Sequence, residues 1–215
     1  MERARAFLKS TEPVKWLFYG DSITHGALHT FGWRDYSQLF AERVRYEMGR
    51  GMDIVMNTAI SGNNARHLLD GFDWRVAQFS PHVVFLMIGM NDCTEGNGIS
   101  VEEFEKNLTE LDERISAFGG LTVMQTTCPI LPNTSPERMP SFEPFMDTIR
   151  KVAIARKLPL IDHAVYWRER SDRHFFWMSN AFHPNEYGHR AFAELLYLEL
   201  GVYDPKSQCC RLHIP

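Results

Sequence analysis

Val14-Lys15-Trp16-Leu17-Phe18-Tyr19-Gly20-Asp21-Ser22-Ile23-Thr24-His25-Gly26 starts as an apolar run and ends in a turn. The run from Val14 to Tyr19 is too short for a free-standing helix and rich in aromatic residues, the signature of a strand buried on both faces. Gly20 lets the chain break away sharply, and Ser22 follows at a tight turn beyond the carboxyl end of the strand. A serine there can project its hydroxyl from the sheet edge, or it can simply cap a helix.

Four more apolar runs have the same character: Ile54 to Thr58, Val83 to Ile88, Leu121 to Thr126 and Leu158 to Ile161. Segments with helical spacing alternate with them. Tyr36, Leu39, Phe40 and Val44 form one stripe. Phe104, Leu108, Leu111, Ile115 and Phe118 form another, opened by a capping box of Ser100 and Glu103. Tyr187, Ala191, Leu195 and Leu198 form the last, with Asn185 as its cap. Alternation of this kind predicts an α/β fold, a three-layer α/β/α sandwich on a five-stranded, mainly parallel sheet. Ligands then bind beyond the carboxyl ends of the strands. The proline-rich piece from Pro129 to Pro144 reads as a long loop near that edge, and residues 1–215 read as a single domain.

Composition narrows the partners. A net charge of -4 and a pI near 6.1 give no general attraction for nucleic acid or anionic lipid. Cys93, Cys128, Cys209 and Cys210 lack the spacing of a disulfide framework or a zinc site, so no metal and no cofactor is expected. The charged N-terminus has no signal-like apolar stretch and no run is long enough to span a membrane, which points to the cytoplasm. The tail from Asp204 to Pro215 reads as a flexible end or an oligomer contact, and the oligomeric state is left open.

Chemistry gathers just past the strands. Ile60-Ser61-Gly62-Asn63 follows the second run and Gly89-Met90-Asn91-Asp92 the third. Glycine allows close backbone approach, and an asparagine amide is a neutral donor suited to a developing oxyanion. A late His183-Pro184 precedes the last helix and offers an imidazole as general base for a serine hydroxyl. His25 and His189 compete for that role. Otherwise His25 is a pocket wall and His189 a helix residue bonded to backbone.

In order and strand context, Gly20-Asp21-Ser22, Gly62, Gly89-Met90-Asn91-Asp92 and His183 resemble the four blocks of the SGNH (GDSL) hydrolases, over nearly the whole chain. The resemblance implies a flavodoxin-like fold and an ester hydrolase without cofactor. It makes Ser22 the nucleophile and His183 the base, with an oxyanion hole from the Ser22 and Gly62 backbone N–H groups and the Asn91 side chain. One position departs. Where most members carry an aspartate three residues before the histidine, this chain has Asn180. Asn180 can hold the imidazole through its carbonyl oxygen without supplying charge, or Asp172 can supply the carboxylate, or the chain is an inactivated binder of acylated ligands. Asp21 and Asp92 read as turn caps.

For substrate, the aromatic and polar stretches His29 to Tyr36 and Tyr166-Trp167-Arg168 to Phe176-Trp177 favour an acetylated sugar or small alcohol. Lysophospholipid or thioester hydrolysis is the alternative.

Overall fold

The chain runs α1 (Glu2–Lys9), β1 (Lys15–Gly20), α2 (Ser22–His25), α3 (Tyr36–Ala41), β2 (Ile54–Asn57), α4 (Ala65–Asp70), α5 (Phe72–Arg75), β3 (Val83–Met87), α6 (Val101–Ala117), β4 (Leu121–Gln125), α7 (Met139–Ala155), β5 (Leu160–Ile161), α8 (His163–Arg168), α9 (His174–Trp177) and α10 (Glu186–Leu200), and its strands form one sheet in the order β2-β1-β3-β4-β5. The computed structural model describes residues 1–215. Every pairing is parallel, with Phe18 opposite Asn57 and Gly20 opposite Met87. All carboxyl ends therefore share one edge. The strand order reverses between β1 and β3, and the crevice at such a switch point is where this architecture binds ligands.

Side-chain alternation along β1 divides the core between two helical layers. Trp16 and Phe18 stack on Phe85 and meet Phe40 edge-on, while Tyr36 packs against Phe18 and Phe192. These contacts seat α3 (Tyr36–Ala41) and α10 (Glu186–Leu200), which also touch each other. Tyr19 points the other way and donates to Leu68 O at 2.5 Å in α4 (Ala65–Asp70). There α4 packs on α6 (Val101–Ala117), and α6 on α7 (Met139–Ala155). Each of these fully buried aromatics contributes roughly 1.5–3 kcal/mol over its exposed state.

The structure adjusts several boundaries. All pairings are parallel rather than mostly so. β5 begins at Leu160, because Leu158 N closes the end of α7 on Ala153 O, after Lys157 has turned left-handed at φ 55°. The proline-rich loop ends at Arg138: Pro140 fits the first turn of α7, where a missing N–H costs nothing, and Pro144 is tolerated further in. Only half of the Ser100 box forms. Ser100 caps Glu103 N, but the Glu103 carboxylate turns away to pair with Arg66. Phe118 caps the end of α6 instead of extending it.

The C-terminal tail is docked. Trp177 Nε1 donates to Pro215 O, Arg190 to His213 O and Cys209 N to Glu47. All four cysteines are free and buried. No helix is long and apolar enough to cross a membrane.

Candidate active site

Gly20 is required where β1 ends, because a Cβ there would stand 2.2 Å from Met87 O on the neighbouring strand. The chain then turns. Extended Asp21 accepts from Ile23 N at 2.9 Å and caps the single turn α2 (Ser22–His25), which Gly26 closes on Ser22 O in the left-handed conformation. Ser22 is thereby presented at the switch-point edge.

His183 reaches it across 161 residues, with Nε2 2.8 Å from Ser22 Oγ. A short loop holds the ring: Met178 bridges Pro184, and Ser179 N donates to His183 O at 2.9 Å. Within that loop Asn180 Oδ1 lies 3.2 Å from Phe182 N, 3.0 Å from His183 N and 3.0 Å from His183 Nδ1. Two of these are backbone N–H donors, so the atom facing them is the carbonyl oxygen, which can only accept. The proton on the imidazole must then sit on Nδ1, which leaves Nε2 free to accept from the Ser22 hydroxyl. Burial first, and then His29 and Arg138, pull the His183 pKa down to about 4, so the ring is unprotonated, and able to accept a proton, at neutral pH.

Three loops at the same edge carry the expected oxyanion donors. The loop after β2 is tied to the serine turn by Ile60 N to Gly20 O and by Asn57 Nδ2 to Thr24 O. Gly62 sits at φ 83°, with open space where a Cβ would stand. Asn91, past β3, donates one amide hydrogen to Asn63 O at 2.8 Å and keeps the other. Arg75, buried against the Tyr19 ring, locks these segments by donating to Thr58 O, Asn63 Oδ1 and Gly20 O.

Residues 18–191 match the GDSL-like Lipase/Acylhydrolase family. The chain belongs to that family. Over 108 residues it is also 35% identical to an uncharacterised protein of Mycoplasma pneumoniae, and the match covers 49% of this chain and 12% of that protein. It thus spans only a small part of that relative. Among solved structures it resembles LAE5, an alpha/beta hydrolase enzyme from the metagenome of Lake Arreo, Spain, with TM-score 0.78 and 23% identity over 92% of this chain and 99% of that one. It also resembles Axe2, an acetylxylan esterase from Geobacillus stearothermophilus, with TM-score 0.75 and 22% identity over 93% and 97%. At these identities the structural likeness speaks for the fold.

For this GDSL-like chain the other candidates fall elsewhere. His25 is exposed and bonds Ser61 Oγ at 3.1 Å. His189 is wholly buried and accepts from Tyr36 N. Asp172 lies on the exposed turn Ser171–Arg173, and the group on His183 Nδ1 is Asn180. Asp92 accepts not only from the backbone of its own turn but also from Ala65 N, the start of α4, at 2.7 Å. Burial raises both Asp21 and Asp92 to about 7.

Of the aromatics expected to line the site, Tyr36, Tyr166, Trp167 and Trp177 are core, with the two tryptophans packed edge to face. Phe31, Trp33 and Phe176 are exposed. A cavity of about 360 Å³ runs beside Trp33 and Arg190, away from Ser22.

Three residues near the site carried no distinct signal in the sequence. Arg75 and Arg138 look like ordinary surface arginines of amphipathic segments. His29 reads as one polar residue among aromatics, yet its ring lies on that of His183.

Proposed function

We propose that the chain is a serine ester hydrolase that removes acetyl or other short acyl groups from a carbohydrate or small alcohol. The hydrogen-bonded line from Ser22 Oγ through His183 to Asn180 Oδ1 carries this reading. Ser22 Oγ attacks the acyl carbonyl while His183 Nε2 takes its proton. The oxyanion accepts from the Ser22 and Gly62 N–H groups and the free Asn91 amide hydrogen. When the tetrahedral intermediate collapses, His183 returns the proton to the leaving alcohol. Water, activated by the same base, then frees acyl-Ser22.

Asn180 serves as orienter. In an aspartate-to-asparagine change at a serine protease triad, loss of the right tautomer contributes to a roughly 10⁴-fold drop. Here the backbone donors impose the right tautomer, so only the carboxylate charge is missing. The catalytic mutants of Axe2 change a serine, an aspartate and a histidine, the aspartate three positions before the histidine. That spacing is the spacing of Asn180 and His183, and Axe2's acetylated xylan supports an acetylated sugar as the class of substrate.

The test is hydrolysis of p-nitrophenyl acetate and labelling by a fluorophosphonate. Labelling confined to Ser22 and abolished in Ser22→Ala supports the reading, and equal labelling of Ser22→Ala overturns it. A protein that binds acetylated sugars without turnover would instead be the acyl-ligand binder that the absent carboxylate suggests. Acetylated sugars, longer acyl esters, lysophospholipids and thioesters compared side by side then rank the substrate class.

A further inference from the structure

The His29 ring lies flat on the His183 ring, with centroids 3.7 Å apart and planes 9° from parallel. The backbone is strained to put it there. Between Gly26 and Gly32 the chain is left-handed at Gly26, Leu28, Phe31 and Gly32, two of them large side chains for which that conformation is costly. The result turns Leu28 and Phe31 out into solvent, 87% and 69% exposed, while His29 between them turns in. Ser179 tethers the stack: its hydroxyl donates to His183 O at 3.2 Å and accepts from His29 Nδ1 at 3.2 Å.

Resting on the reading of His183 as general base, we propose that His29 is a positioning residue whose ring face stabilises the His183 imidazolium formed during turnover, in place of the carboxylate that Asn180 lacks. A cation over the face of a neutral aromatic ring is attracted by its π electrons, most strongly where water is excluded. The face helps only while His29 is uncharged, the form that its burial favours; a protonated His29 repels the imidazolium, which is the sense in which it lowers the His183 pKa. The charged or titratable groups around the His29–His183 pair are His189 of α10 near His29, Arg138 near His183 with its partner Glu137, and Asp21 beside Ser22. Glu137 is taken up by Arg138 and Asp21 is pushed up to about 7 by burial, and neither sits on His183 Nδ1, whose partner is Asn180.

The decisive experiment is a double-mutant cycle on p-nitrophenyl acetate hydrolysis. His29→Ala is expected to lower kcat about tenfold with KM changed less than about twofold. In the Asn180→Asp background, where a carboxylate carries the charge, the same change is expected to cost less than about threefold. His29→Phe keeps a face without a titrating nitrogen, so it retains most of kcat and moves the acid limb of kcat/KM upward. His29→Gln, which can still bond Ser179 but has no face, behaves like His29→Ala and serves if the alanine variant folds poorly. Equal losses in both backgrounds, a His29→Phe variant as weak as His29→Ala, or no loss at all would overturn the proposal. Full activity of His183→Ala would instead sink the reading of the site itself.

Discussion

The two halves of the candidate site are built differently. The serine and oxyanion half grows straight out of the sheet. Asp21 and Ser22 are buried, and the loops past β1 and β2 are laced together by Arg75 and Asn57, while Asn91 past β3 binds Asn63 O. The base half hangs on the loop around His183, tied to the sheet through the segment past β4, where Leu131 N donates to Ala181 O. Asn180 is exposed, and His183 is held by a local turn, one β-bridge and the face of His29. In the proposed mechanism, preorganised donors in the first half need no reorganisation as charge develops. The second half must both hold a ring and accommodate its new charge, and it lacks the usual carboxylate for that purpose.

The sharpest way to break this comparison is to remove its one joint. His183→Ala is expected to lower kcat by roughly 10⁵–10⁶, since base and nucleophile act as a unit. Loss of less than about a hundredfold would mean that Ser22 is activated by another group. Next, Asn91→Ala removes one donor from the rigid half and should cost about 10²–10³ in kcat, with a melting temperature close to the parent's. A tenfold or smaller effect would take Asn91 out of the oxyanion hole.

Asn180→Asp probes the other half and should raise kcat by about 10–10², well short of the roughly 10⁴ expected if the tautomer were also being corrected. It should also shift the pH profile. In the parent the His183 pKa is depressed to about 4, so the base stays deprotonated and kcat/KM persists until the pH falls to about that value. A carboxylate at 180 stabilises the imidazolium and moves that acid limb upward. An Asn180→Ala variant as fast as the parent would deny this side chain any orienting role.

The smallest expected effect concerns the buried carboxyl beneath the rigid half. Asp92 has its pKa raised to about 7 by burial, above its unfolded value. The native state therefore binds the proton more tightly than the unfolded chain does. The stability of that state is greatest at low pH and is lost as pH rises from near 4 to near 7. Asn at this position can keep the bond to Ala65 N without ever ionising. Asp92→Asn should thus raise the melting temperature by about 2–4 °C at pH 8 and leave it nearly unchanged at pH 4, as read by calorimetry.

That Ser22, Gly62, Asn91 and His183 would gather at one edge was legible, because glycine, asparagine and serine beside short apolar runs mark strand-to-loop turns, and in a parallel sheet those turns share one edge. The cap on α10 was legible for the same local reason, and Asn185 does accept from Tyr187 N and Gly188 N. The aromatic stretches misled. Tyr36, Tyr166, Trp167 and Trp177 differ from Trp33 and Phe176 only in which way the backbone turns them, and composition holds no record of that. The Ser100 box failed in part because Arg66, 37 residues away, outbid the local backbone for Glu103.

Taken alone, the sequence determined the layer architecture, the strand-end turns and the identity of the groups able to do chemistry, because these follow from short-range periodicity and backbone preference. Only the tertiary structure decided that Asn180 Oδ1 lies on His183 Nδ1 and that His29 lies against the face of that ring. Those are matters of a few tenths of an ångström between residues as distant in sequence as His29 and His183, fixed when the core closes and the loops are drawn to one edge.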